Sequence, residues 1–103
     1  MIKHIIMWKL YDETEGFSKS ENADRIKLIL EELPDQIPEI VKLEVGVNIS
    51  NSEIAYDIVL YSEFESKDDL QIYREHPAHI ALVDFIKNLR SERHVVDYEV
   101  KEP

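Results

Sequence analysis

The stretch YREHPAHIALVDF, residues 73 to 85, places Tyr73, His76 and His79 three residues apart around Pro77. A phenol and an imidazole can do acid–base work near neutral pH with no cofactor. Imidazole titrates there, and a phenol O–H can hold an oxyanion. Tyr73 and His79 are therefore the candidate catalytic pair, provided the fold gives them a shared pocket. His4, on the same strand face as Ile6 and Trp8, is placed to point under the same helix. Each residue also has a plainer reading. His76, just before Pro77, suits a helix start where its side chain bonds backbone. Tyr73 suits a core aromatic with its hydroxyl at the rim. His79, beside Val83 and Ile86, fits either a pocket or a satisfied core position, and His94 opens the last strand as an exposed residue.

Other chemistries have less to stand on. His76 and His79 at i, i+3 offer half a metal site, and Glu75 and Asp84 read as part of a solvated charged face, so no metal is expected. There is no cysteine to supply a disulfide, a thiol nucleophile or a thiolate ligand. No glycine-rich phosphate loop is present, which removes nucleotide binding. No cofactor is expected. Twelve basic against twenty-two acidic residues leave a net charge of −10, which argues against nucleic acid and anionic membrane surfaces as partners.

These side chains need elements to position them. The chain of 103 residues reads as a single domain, 1–103. The opening MIKHIIMWKL runs straight into Asp12, Glu13 and Glu15, too short for a membrane span and without a signal-peptide pattern, so a cytoplasmic protein is expected. Residues 2–10 alternate as a strand, with Ile2, His4, Ile6, Trp8 and Leu10 on one face and apolar residues on the other too, so cover is expected on both sides. Ser18 and Glu21 fit a capping box that opens a helix whose buried stripe is Ala23, Ile26, Ile29, Leu30 and Leu33; Pro34 stops it. Leu43, Val45, Val47 and Ile49 mark a second strand, residues 55–64 a third, and HVVDYEV a fourth. Between the third and fourth, one helix ends near Glu75 and another restarts at Pro77. The order β-α-β-β-α-β is that of a ferredoxin-like α+β fold with a four-stranded antiparallel sheet. One face of that sheet is left open, lined by Ile5, Met7, Val59, Tyr61 and Val95, and a second copy of the chain is the expected cover.

The ordered set MIKHIIMWKL, IPEIVKLEVGVNIS, YDIVLYSEFES, YREHPAHIALVDF and HVVDYEV resembles the stress-responsive A/B barrel domain (Dabb) family, from Met1 to about Val100. The resemblance implies a dimeric α/β barrel, hence a homodimer. It also implies kinship with a plant polyketide cyclase branch, in which a tyrosine and a histidine at positions like Tyr73 and His79 act on a linear tetraketide thioester or acid. His4 matches a pocket-lining histidine of that branch. The sequence departs from it at Ile58, where the branch has a further pocket histidine, and in its first helix, where Ile26, Leu28, Ile29 and Leu30 supply no pocket tyrosine. The implied pocket is lined by His4, Ile6, Trp8, Ile58 and Val83, and its ligand is an unidentified small molecule.

Three functions are consistent with this reading. One is a small-molecule pocket, as a binding module or a cofactor-independent lyase or cyclase acting on a polyketide-like or other carbonyl substrate. Another is a haem- or oxygen-linked monooxygenase of the dimeric barrel type. The third is a structural, stress-associated dimer without catalysis, which would have a filled interior.

Overall fold

A computed structural model describes residues 1–101. The first strand, β1 (Ile2–Leu10), lies at the centre of the main sheet, and its buried residues are the even-numbered ones. A short hairpin follows, β2 (Glu13–Thr14) and β3 (Phe17–Ser18), which the sequence reading did not foresee. Its two-residue turn holds Glu15 at φ 55° and Gly16 at φ 85°. Both central residues lie in the left-handed region, as the tight turns that match strand twist require. Helix α1 (Lys19–Glu31) opens on the expected capping box: Ser18 Oγ accepts from the Glu21 N–H, and Glu21 Oε1 accepts from the Ser18 N–H. Past Glu32 the chain makes one further turn, α2 (Leu33–Gln36), with Pro34 in its first turn.

Strands β4 (Lys42–Val47) and β5 (Ile58–Phe64) come next, then α3 (Lys67–Glu75), α4 (Pro77–Lys87) and β6 (Arg90–Glu99). The sheet order is β4-β5-β1-β6, every neighbouring pair antiparallel. This is the ferredoxin-like arrangement. Ile2, Ile6, Trp8 and Leu10 of β1 join Ile58, Leu60 and Phe64 of β5 in one core with Ile26 and Leu30 of α1 and Leu82 and Ile86 of α4. The helices therefore cover the even-numbered face of β1. No helix among the described residues is long and apolar enough to cross a membrane.

Four expectations need correction. The last strand begins at Arg90, four residues before His94. Ile49 lies beyond β4 and is almost wholly exposed, and the third strand begins at Ile58, after a bend, not at residue 55. Val95 is not on the open face. It pairs with Ile6, whereas Val96 pairs with Ile5 and sits beside Met7 on the face away from the helices. A one-residue error in register moves every side chain of a strand to the other face. The open face is thus Ile5, Met7, Val59, Tyr61, Val96 and Tyr98, with Val96 and Tyr98 52% and 43% exposed.

Candidate active site

The residue before a proline is disfavoured in the helical conformation. His76 accordingly adopts φ −65°, ψ 136°, ending α3 at Glu75 and starting α4 at Pro77. The corner uses up His76. Its Nδ1 accepts from the Ala78 N–H at 3.0 Å, and its carbonyl accepts from the His79 and Ile80 N–H groups. In an unbroken helix the Ala78 N–H would have served the Arg74 carbonyl. That carbonyl is left at the end of α3, and His79 Nδ1 donates to it at 3.0 Å. A carbonyl only accepts, so the neutral His79 ring carries its hydrogen on Nδ1 and keeps its lone pair on Nε2.

A second imidazole is held the same way from the sheet. His4, 5% exposed, lies opposite Asp97 in the β1–β6 register. Its Nδ1–H donates to Asp97 Oδ1 at 2.5 Å. The other carboxylate oxygen, Oδ2, accepts from Arg74 Nη2, so His4 of β1 and Arg74 of α3 hold the β6 carboxylate between them. Ionised Asp97 only accepts, and His4 too is left with its lone pair on Nε2.

Tyr73 packs against both. Its ring centroid is 4.4 Å from that of His79 and 5.8 Å from that of His4, and Phe64 supports it at 5.0 Å. The ring is 1% exposed, and its hydroxyl is the one buried side-chain polar atom among the described residues without a hydrogen-bond partner. Leaving such a group unpaired costs about 1–3 kcal/mol. His4, Ile6, Trp8, Tyr73, His79 and Val83 border one cavity, with Arg90 and Arg93 also in its wall. It offers about 30 Å³ to water-sized occupants, enough for one or two water molecules.

Burial sets the protonation states. It pushes the His4 imidazole below its ordinary value, and Asp97 opposes this without reversing it. Burial also lowers His79, against the Arg74 carbonyl, with the nearby His4, Arg74 and Arg93 charges adding to the depression. The Tyr73 phenol is driven far upward by burial. At neutral pH the cluster is therefore two unprotonated imidazoles packed against the ring of a phenol that keeps its proton.

Residues 2–100 match the stress-responsive A/B barrel domain. The chain belongs to that family. A dimeric protein of ferredoxin-like fold from Bacteroides fragilis is 37% identical to it, with a TM-score of 0.85 over 96% of this chain and 95% of that one. An uncharacterized protein of Streptomyces coelicolor is 37% identical over 84 residues, 79% of this chain and 81% of the relative. A hydroxynitrile lyase from Passiflora edulis shares the fold at a TM-score of 0.82, with 15% identity, over 99% of this chain and 94% of that one.

In this A/B barrel domain Ile58 does not border the cavity. It pairs with Trp8 on the β5 side, away from β6, and is buried in the main core, while Leu60 fills the corresponding part of the wall. Among the described residues no three His, Asp or Glu side chains gather as a metal site. The sequence reading missed Asp97, Arg74, Arg90 and Arg93. The signal for Asp97 was the alternation of HVVDYEV, which puts Val95 and Asp97 on one face; placing Val95 on the open side carried Asp97 there with it.

Proposed function

We propose that this chain is a homodimeric, cofactor-independent enzyme that moves a proton at the carbon beside a small carbonyl group. The observation that carries the reading is the cluster itself: two imidazoles whose Nδ1 atoms are engaged elsewhere, both packed against the ring of Tyr73, whose buried hydroxyl is unpartnered. In the step envisaged, His79 Nε2 takes the proton, the C–H electron pair becomes an enolate, and the enolate oxygen accepts a hydrogen bond from Tyr73. His4 is the second base on the facing wall. The apolar open sheet face supports a homodimer, since Ile5, Met7, Val59 and Val96 otherwise stay together in water.

The cavity volume limits what reacts. Only the carbonyl end of a substrate can enter a space of about 30 Å³, and a longer polyketide-like chain would lie through the mouth. The same volume speaks against haem. It also favours a second reading, a structural dimer without catalysis, because little room is left inside. Wash-in of solvent deuterium at C2 of methyl 3-oxobutanoate separates the two. A base at His79 predicts acceleration, with His79→Ala losing roughly 10²–10⁴-fold. Equal exchange with and without the His79 imidazole overturns the catalytic reading.

A further inference from the structure

We propose that the site takes a carboxylate-bearing carbonyl compound, held at the cavity mouth by Arg93 together with Arg90; this rests on the proton-transfer reading above. In a regular strand, residues three apart point to opposite faces, so Arg90 and Arg93 should not share a side of β6. They do, because the β1–β6 register slips: Lys9 pairs with Glu92, Leu10 pairs with Arg90, and Ser91 is the extra residue. Ser91 Oγ donates to the Lys9 carbonyl across this bulge. A bulge re-aims a side chain, and here it adds Arg90 to a wall that already holds Arg93, opposite Trp8.

Neither guanidinium has a carboxylate partner among the described residues, although the chain carries twenty-two acidic side chains against twelve basic ones. Arg74, by contrast, is already committed to Asp97. Two uncommitted guanidiniums in the wall of a cavity that also holds an unpartnered hydroxyl form an anion-and-carbonyl recognition set. Guanidinium is matched to a carboxylate by its planar fork of donors. The carbonyl end would reach Tyr73 and the carboxylate would remain at the half-exposed mouth, which also suits the small interior volume.

Binding of 3-oxobutanoate and of its neutral methyl ester tests this, read by NMR shifts of the His4 and His79 side chains and by fluorescence of Trp8, the sole tryptophan and a cavity-wall residue. The acid should bind at least about tenfold more tightly than the ester, and Arg93→Gln should remove most of that difference by weakening the acid far more than the ester. Arg90→Gln, at a site where the ring cluster is untouched, should reduce it in part. If the ester shifts both histidines and the acid binds no better, the arginine assignment falls and the proton-transfer site stands. If neither compound shifts His4 or His79, both fall.

Discussion

Tyr73→Phe removes one oxygen from the centre of the cluster, and its effect on stability should run opposite to its effect on activity. The ring packs against Phe64, His4 and His79, and phenylalanine keeps all of those contacts. What is lost is a hydroxyl that is buried and unpartnered. If the site is dry, removing it relieves a penalty of about 1–3 kcal/mol. If a water occupies the cavity and bonds the hydroxyl, the gain shrinks toward zero. Either way the variant should be no less stable than the parent. In a domain of this size each kcal/mol moves the melting temperature by about 4–8 °C, so an increase of several degrees is expected in the dry case. Thermal and urea unfolding at matched protein concentration measure it, since a dimer's apparent stability depends on concentration. Deuterium exchange into the ester should fall at the same time. A variant destabilised by more than about 1 kcal/mol, the worth of an ordinary hydrogen bond, would show that the hydroxyl has a structural partner and is not held for a ligand.

Both depressed histidines make stability pH-dependent. With folded values below the ordinary 6.5, the unfolded chain binds more protons, so their contribution is complete above that pH and is lost as pH falls below it; urea midpoints between pH 7.5 and 5 should fall steadily, and a flat profile would contradict neutral burial. Asp97→Ala should cost roughly 1–2 kcal/mol, less than a fully buried charged hydrogen bond because the carboxylate is partly exposed, and NMR titration should show His4 shifted further down, since Asp97 is what raises it. A rise in the His4 value would refute the pairing. Val59→Glu sets an unpartnered carboxylate in the proposed dimer face; light scattering should report monomer or aggregate, and an intact dimer would move the interface elsewhere.

Much of the scaffold was legible in the sequence because strong local signals agreed. The Ser18–Glu21 capping box and the alternation of β1 each have one physical interpretation, and each appears as read. The first helix, by contrast, ends at Glu31, and Pro34 opens a further helical turn that the stop reading did not include. The His76–Pro77 corner was legible too, down to the His76 side chain bonding backbone. The far wall of the site was not. Valines on both sides of β6 leave its register undetermined by hydrophobic pattern alone, and the bulge at Ser91 reverses the strand's parity. That reversal hides Arg90 from any period-two reading, while Asp97 was lost with the misplaced Val95. The link between the Arg74 carbonyl and His79 was equally out of reach, because it depends on which donor the broken helix leaves over. The β2–β3 hairpin rests on Glu15 and Gly16, whose turn signal is faint beside the charged residues around it.

The central claim is that His79 and His4 stand as unprotonated bases with Nε2 free in one cavity. Long-range ¹H–¹⁵N NMR of the imidazoles reads tautomer and titration together. Both rings should carry hydrogen on Nδ1, with Nε2 unprotonated at pH 7 and both midpoints below 6.5. A His79 ring found as the Nε2–H tautomer, or titrating above that value, would contradict the account.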